Sequence, residues 1–250
     1  MLRKPFVGGN WKCNGSRKFI NSITNTFNNE IPNIKKVDVC LAPPNIYLER
    51  LQNKLRPDWL ISAQNCYKEP KGAYTGEISC EMLKDMNIDW VILGHSERRH
   101  KFNESSKLIG EKTKMAISKD MNVIFCLGEK LEQRQNGETK RVVVDQLQSL
   151  SGIKDWSKIV LAYDPVWAIG TGVVAKPYQA EEVHSFLRQW FAENVSKSVS
   201  DQLRIIYGGS VSPNNSVELI EKPNVDGFLV GGYSLKPGFI DIIKNVIKKY

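Results

Sequence analysis

Residues 159–165 read IVLAYDP, an almost wholly apolar run that ends in a carboxylate and a proline. Seven other runs of this kind occur along the chain, spaced by roughly 30 residues, the length of one strand with its crossover helix. Such runs are typical of parallel strands that are covered on both faces. The other runs are FVGGNW from Phe6, VDVCLAP from Val37, WLISAQN from Trp59, WVILGHS from Trp90, VIFCLGE from Val123, RIIYGGS from Arg204 and GFLVGG from Gly227.

The stretches between these runs have helical periodicity. The clearest apolar stripe consists of Val183, Phe186, Leu187, Trp190 and Phe191, and a weaker one consists of Ile20, Ile23 and Phe27. No linker or second composition regime divides the chain, so residues 1–250 are predicted to form one α/β domain. A doubly wound sheet and a closed barrel both fit this order. Eight units is the number that closes a barrel, which favours a (β/α)₈ barrel.

Composition excludes several classes of protein. With 41% hydrophobic and 25% charged residues, the chain resembles an ordinary soluble globular protein. No apolar run reaches the ~18–20 residues of a membrane span, and no signal peptide is expected. The net charge of +8 is scattered, without interleaved aromatic residues, so no nucleic-acid partner is predicted. The five cysteines are odd in number and lack C-x-x-C spacing, which argues against a disulfide framework or zinc site and indicates the cytoplasm.

In a barrel, function belongs at the carboxyl ends of the strands. The first strand places Asn10 and Lys12 on one side, where the lysine is either an anion ligand or a solvated rim residue. His95 follows the fourth strand directly, as a general acid or a structural histidine. Asp164 ends the sixth strand, as a base or a turn cap, ahead of a glycine-punctuated loop with exposed apolar residues that suggests a movable lid.

Paired glycines end the last two strands, in YGGS at 207–210 and GGYS at 231–234. Backbone N–H groups at such glycines approach a phosphate closely, and these two loops commonly form the phosphate site of a barrel. Each pair alone also fits an ordinary tight turn.

The chain resembles the triosephosphate isomerase family. The resemblance covers the motifs Gly8–Lys12, Gly94–Arg99, Trp167–Gly172, Tyr207–Ser210 and Asp226–Gly232, in order along essentially the whole sequence. It implies an enzyme that interconverts dihydroxyacetone phosphate and glyceraldehyde 3-phosphate through an enediolate, with neither metal nor organic cofactor.

The resemblance also implies roles for individual residues. Catalysis is assigned to Asn10, Lys12, His95, Glu97 and Asp164, with Lys12 stabilising anionic charge, Glu97 orienting Lys12 and His95 polarising the carbonyl as a neutral group. Phosphate binding is assigned to Gly170, Ser210, Gly231 and Gly232. The lid runs from Pro165 to Ala175 and includes Val166, Trp167, Ala168, Ile169, Thr171 and Gly172, with Tyr207 and Ser210 as its latch.

The family's long third loop corresponds here to a segment that includes Gln64, Asn65, Thr75 and Glu77. In the family this loop inserts into a second subunit, so the resemblance implies a homodimer, with Thr75 near the partner's active site and Cys13 near the interface.

Four departures from the family pattern accompany the resemblance. Asp164 stands where the family has Glu as base, and Tyr233 stands where a small residue is usual. Lys176 stands where Thr is common, and the lid hinge reads Val173-Val174-Ala175 where Lys-Thr-Ala is more frequent. Because two glycines precede Tyr233, its ring is expected to point to solvent.

Three functional hypotheses follow: an isomerase slowed by Asp164, an impaired barrel that binds phosphate in a binding or structural role, and another sugar-phosphate enzyme such as an epimerase. The last explains neither His95 with Lys12 nor the lid.

Overall fold

The computed structural model describes residues 3–30, 34–168 and 176–250. Its eight strands are all parallel and close into one barrel, because β1 pairs with β8 as well as with β2. This closure confirms the predicted (β/α)₈ barrel and excludes the doubly wound sheet. The strands are β1 Phe6–Asn10, β2 Asp38–Ala42, β3 Leu60–Ala63, β4 Trp90–Leu93, β5 Asn122–Leu127, β6 Ile159–Tyr163, β7 Arg204–Tyr207 and β8 Gly227–Val230.

Helices surround the barrel. They are α1 Arg17–Glu30, α2 Leu48–Gln52, α3 Cys80–Asp85, α4 Ser96–Lys101, α5 Ser106–Ser118, α6 Leu131–Gln135, α7 Thr139–Leu147, α8 Pro177–Asn194, α9 Lys197–Gln202, α10 Pro213–Ile220 and α11 Phe239–Lys249. The predicted stripe on α8 packs against the core, with Val183, Leu187 and Phe191 buried. No helix within the described residues is long and apolar enough to cross a bilayer.

Period-2 alternation places every second strand residue inside the barrel. The interior residues are Phe6, Cys40, Ala42, Trp90, Ile92, Ile124, Cys126, Val160, Ala162, Ile206 and Leu229. At the amino-terminal end the rings of Phe6 and Trp90 lie 5.0 Å apart, and the Arg204 guanidinium covers both. The interior is therefore a packed core. Polar side chains appear where the inward series reaches the carboxyl ends of the strands, at Asn10 after Phe6 and at Asp164 after Val160 and Ala162.

Candidate active site

A cavity of about 550 Å³ opens at the carboxyl ends of the strands. Lys12 and His95 line it from one side, and the glycine-rich loops after β7 and β8 line it from the other. Its described lining residues are Asn10, Trp11, Lys12, Asn14, His95, Gly208, Gly209, Ser210, Val211, Ser212, Asn215, Leu229, Gly231, Gly232, Tyr233, Leu235 and Lys236. The cavity thus brings together Asn10, Lys12, His95 and the two glycine pairs singled out from the sequence. Asp164 is not among its described lining residues.

Lys12 has a left-handed backbone, with φ of 52°, which a residue with a side chain adopts only at a cost in free energy. Its amide donates to Asn10 Oδ1 at 3.0 Å, and its carbonyl accepts a hydrogen bond from Gln64 Nε2 at 2.9 Å. These contacts hold the strained conformation and direct the ammonium group towards the last loops. A Cβ atom at Gly231 would lie only 4.0 Å from Lys12 Nζ.

Glu97 pairs with this lysine at the cavity wall. Lys12 Nζ donates to Glu97 Oε1 at 2.9 Å, and both side chains are about one-quarter to one-third exposed. Partial burial opposes ionisation of Glu97, but the hydrogen bond and charge of Lys12 outweigh it, so the pKa of this carboxyl lies below its ordinary value. The geometry fits the orienting role that the family resemblance implies for Glu97.

His95 precedes α4 as its N-cap, and its ring is almost fully buried. The Glu97 amide donates to His95 Nδ1 at 3.3 Å, so Nδ1 is an acceptor and does not carry a proton. In the neutral ring the proton is then on Nε2, the nitrogen 3.6 Å from Asp164 Oδ2. This tautomer can donate a hydrogen bond to a substrate oxygen while the ring stays uncharged.

Asp164 directly follows β6 and is 2% exposed. The Ser96 amide lies 3.4 Å from its Oδ2, while Oδ1 is buried and has no hydrogen bond to any residue that the structure describes. Two glycines allow this close packing: a Cβ at Gly128 would lie 2.1 Å from the Asp164 carbonyl oxygen, and one at Gly208 would lie 3.2 Å from Oδ1. The carboxylate is therefore beside His95 but set back from the cavity wall.

The two glycine loops face this group across the cavity. Gly231 begins the 3₁₀ turn Gly232–Leu235, and its carbonyl accepts hydrogen bonds from both the amide and the hydroxyl of Ser234. Ser210 is half-buried, and its carbonyl accepts a hydrogen bond from Asn215 Nδ2 at 3.0 Å. The short side chains and open backbone leave room for an anion between these loops and Lys12.

Tyr207 ends β7 and is fully buried. A Cβ atom at Gly209 would lie 2.1 Å from its hydroxyl oxygen, so the hydroxyl lies against the backbone of the loop after β7. Ser210 directly follows Gly209, so both predicted latch residues lie at the start of this loop. The lid residues that it would hold are outside the described part of the chain.

The predicted lid is described at its first end only. Pro165 is buried, and Val166–Ala168 form a 3₁₀ turn. The predicted lid residues Ile169, Thr171 and Gly172, the hinge residues 173–175 and the phosphate ligand Gly170 lie outside the described residues.

Glu129, which follows β5, anchors the first end of the lid segment. Its carboxylate accepts hydrogen bonds from Trp167 Nε1 at 3.0 Å and from the Tyr163 hydroxyl at 3.0 and 3.1 Å. Arg134 lies 3.4 Å from the same carboxylate and 5.3 Å from the centre of the Trp167 ring. Sequence reasoning missed both residues. A strand-end carboxylate in VIFCLGE was the available signal for Glu129.

The ring of Tyr233 does not point to solvent, and that expectation was wrong. The residue is half-buried, and Lys236 Nζ lies 4.8 Å from its ring centre. A Cβ at Gly238 would lie 3.6 Å from Tyr233 Cδ1, so the ring packs on the bare backbone of that glycine. The ring therefore contributes to the cavity rim without standing between Gly231 and Lys12.

The third loop has an anchored base and an exposed tip. Gln64 donates to the carbonyls of both Lys12 and Ala42, and Asn65 Oδ1 accepts a hydrogen bond from the buried Lys112 at 3.1 Å. Residues 71–77, which include Thr75 and Glu77, are exposed. The base thus supports the active site of its own chain, and the tip is free to meet another.

Within the described residues, no cluster of three or more His, Cys, Asp or Glu side chains has the arrangement of a metal site.

Comparison with known proteins agrees with this geometry. The family model for triosephosphate isomerase matches residues 5–246. A cytosolic triosephosphate isomerase of Oryza sativa subsp. japonica is 52% identical over 251 residues, which cover 100% of this chain and 99% of that protein. The matched residues span nearly the whole barrel, so the chain belongs to the triosephosphate isomerase family.

Proposed function

We propose that this chain interconverts dihydroxyacetone phosphate and D-glyceraldehyde 3-phosphate, with Asp164 as its base and with a turnover that the short side chain of Asp164 limits. Family membership supports the reaction. The observation that carries the assignment is that Lys12 and His95 line one cavity together with glycine-rich backbone, with the Asp164 carboxylate 3.6 Å from His95 Nε2.

The phosphate binds between the loops after β7 and β8, where Ser210, Gly231 and Gly232 line the cavity. Gly170 is assigned as a further ligand by the family motif. Lys12 lies beside Gly231 and supplies the positive charge of this site. Holding the substrate at a group remote from the reacting carbons fixes its orientation, which lowers the entropic part of the barrier.

Asp164 then removes a proton from the carbon next to the carbonyl. His95 Nε2–H donates to the carbonyl oxygen as negative charge develops there, and the Lys12 ammonium stabilises the same charge. His95 Nε2 gives its proton to the former carbonyl oxygen and takes the proton of the neighbouring hydroxyl. Asp164 returns the carbon-derived proton to the neighbouring carbon, which completes the isomerisation. Closure of the segment 165–175 would exclude water from the enediolate.

A coupled assay with glyceraldehyde 3-phosphate tests this function directly. Turnover above the rate of the uncatalysed reaction supports an isomerase. Phosphate-competitive binding of substrate without turnover would instead support the alternative, an impaired barrel that binds phosphate in a binding or structural role. The family match does not favour that alternative.

The active unit is proposed to be a cytoplasmic homodimer. The exposed tip at 71–77 and a cavity of about 380 Å³ beside Cys13, Asn45 and Glu97 supply a protruding and a receiving surface. Triose phosphates are the only small-molecule partners proposed. No cofactor, nucleic-acid partner or membrane partner is proposed.

Sedimentation at micromolar concentration should therefore report about twice 28.4 kDa. Thr75→Glu should lower this mass, because an uncompensated charge is buried when the loop tip meets the partner. Val217→Glu is the matched control, since Val217 is a 51% exposed residue of α10, far from the third loop in sequence. A monomer in the unchanged chain would refute the dimer.

Tyr233→Ala should leave the KM for glyceraldehyde 3-phosphate nearly unchanged, because the ring packs on Gly238 rather than over the phosphate loops. Tyr233→Phe is the control that removes the hydroxyl and keeps the packing. A several-fold fall in KM in Tyr233→Ala would show that the ring obstructs the site.

A further inference from the structure

Two buried cysteines lie side by side where the third loop leaves and rejoins the barrel. Cys66 follows β3 and Cys80 is the first residue of α3, and the two are 1% and 0% exposed. Their Sγ atoms are 3.5 Å apart and share a hydrogen bond. A backbone hydrogen bond from the Tyr67 amide to the Ile78 carbonyl, 2.8 Å long, closes the loop just beyond them.

The two thiols are not equivalent. Hydrogen bonding from Cys66 lowers the pKa of Cys80 and opposes the burial of that thiol, whereas the same interaction, together with burial, raises the pKa of Cys66. Lys119 adds a smaller electrostatic contribution at Cys80. Since the thiolate is the nucleophile in oxidation and disulfide exchange, this direction favours Cys80 as the attacking thiol.

In the isolated chain a small oxidant has a route to the pair, through the cavity that is proposed above to receive the partner's loop. Cys66 lines the cavity of about 380 Å³ that opens beside Glu77 and Phe102. The other three cysteines lack this arrangement: Cys40 and Cys126 are buried in the barrel interior, and Cys13 is exposed. Within the described residues, which include all five cysteines, only Cys66 and Cys80 are in hydrogen-bond contact with each other.

We propose that Cys66 and Cys80 are a redox modification site at which hydrogen peroxide forms a reversible disulfide across the base of the third loop. The Cys80 thiolate attacks one peroxide oxygen and the O–O bond breaks. The released hydroxide takes the proton that Cys80 lost, giving water and a sulfenic acid on Cys80.

Cys66 sulfur then attacks Cys80 sulfur and displaces hydroxide, which takes the Cys66 proton as a second water. Two thiols and one peroxide thus give one disulfide and two waters, and the two electrons lost by the sulfurs reduce the peroxide. A dithiol reverses the step by thiol–disulfide exchange.

The bond would join the two ends of the segment that carries the exposed tip at 71–77, and so would limit the opening of that loop. It needs little movement of the chain, because the Tyr67–Ile78 hydrogen bond already holds the two backbone segments together. The inference rests on these contacts alone and not on the proposed isomerase activity or the proposed dimer.

The test treats the full chain with hydrogen peroxide across a dilution series, so that access does not depend on assembly. Intact mass should fall by two hydrogens, and peptide mapping without reductant should recover a Cys66–Cys80 crosslink that dithiothreitol reverses. Cys66→Ser and Cys80→Ser should each abolish the crosslink. Cys13→Ser, the matched control at the exposed thiol, should retain it.

Absence of the crosslink at every dilution overturns the proposal. So does sulfinic acid at Cys80 without a crosslink, or a disulfide that includes Cys13. Peptide mapping of the unchanged chain decides these outcomes even if a serine variant fails to fold. Isomerase activity is measured separately on the reduced chain, so failure of the redox site and failure of the proposed function are distinguishable.

Discussion

Asp164→Glu should raise kcat by about two orders of magnitude and leave KM nearly constant. Aspartate is one methylene shorter than glutamate, which leaves the carboxylate about 1 Å further from the carbon whose proton it removes. Misplacement of this size costs roughly 100-fold in rate, or about 2.7 kcal/mol of barrier. Intrinsic basicity contributes little, because Asp and Glu differ by only about 0.4 pK units in model compounds.

The position of Asp164 gives this expectation a structural basis. The carboxylate is 2% exposed and lies against Gly208 and the Ser96 amide, and it is not among the described residues that line the 550 Å³ cavity. His95 Nε2 lies 3.6 Å from this carboxylate and His95 itself lines the cavity. We expect the additional methylene of a glutamate to carry the carboxylate past the backbone of Gly208 towards the cavity.

Steady-state kinetics of Asp164→Glu in both directions of the reaction measure this effect. Asp164→Asn is the matched control, because it keeps the shape of the side chain and removes its basicity. The kcat of Asp164→Asn should be lower than that of the unchanged chain. Its KM should be nearly unchanged, since the phosphate loops are untouched. A flat or lower kcat in Asp164→Glu would mean that the backbone already places Asp164 well. The reduced-turnover proposal would then be wrong.

The sequence predicted the barrel and the strand-end residues for a common reason. Parallel strands buried on both faces leave apolar runs that are visible in one sequence, and a closed barrel brings all their carboxyl ends to one rim. His95 and Asp164 are 69 residues apart in numbering, yet Asp164 directly follows β6 and His95 follows β4 after one glycine, so the barrel topology brings them together. Lys12 lies two residues beyond β1, and its left-handed backbone, held by Asn10 and Gln64, directs its side chain into the same cavity.

The sequence pattern could not predict which side chains of different strands, helices and loops contact each other. Glu129 anchors Trp167 because the ends of β5 and β6 are adjacent in register, and nothing in the local sequence shows which tryptophan a strand-end carboxylate will meet. The position of the Tyr233 ring was predicted wrongly because the ring packs on Gly238, where the absence of a side chain leaves space for it. Cys66 and Cys80, separated by a polar loop, show no motif spacing and meet through a backbone hydrogen bond between their neighbours.

Lys12→Ala should lower kcat/KM by about 100-fold to 1,000-fold. This is the usual cost of removing one preorganised group that stabilises developing charge. Both parameters should change. KM should rise because the ammonium beside Gly231 attracts the phosphate, and kcat should fall because the same positive charge stabilises the enediolate. The variant also leaves Glu97 without its partner at 2.9 Å, and that unpaired carboxylate would repel an anionic substrate.

The control must separate loss of the active-site charge from loss of an ion pair. Lys119→Ala serves this purpose: Lys119 pairs with Glu81 at 2.6 Å, and the two side chains are 36% and 48% exposed. Surface pairs of this kind contribute about 0–1 kcal/mol to stability. This variant should therefore retain its kcat/KM, and its free energy of unfolding should be close to that of the unchanged chain. If Lys12→Ala also retains kcat/KM while remaining folded, Lys12 does not stabilise the reacting anion. Its strained backbone, held by Asn10 and Gln64, would then need another explanation.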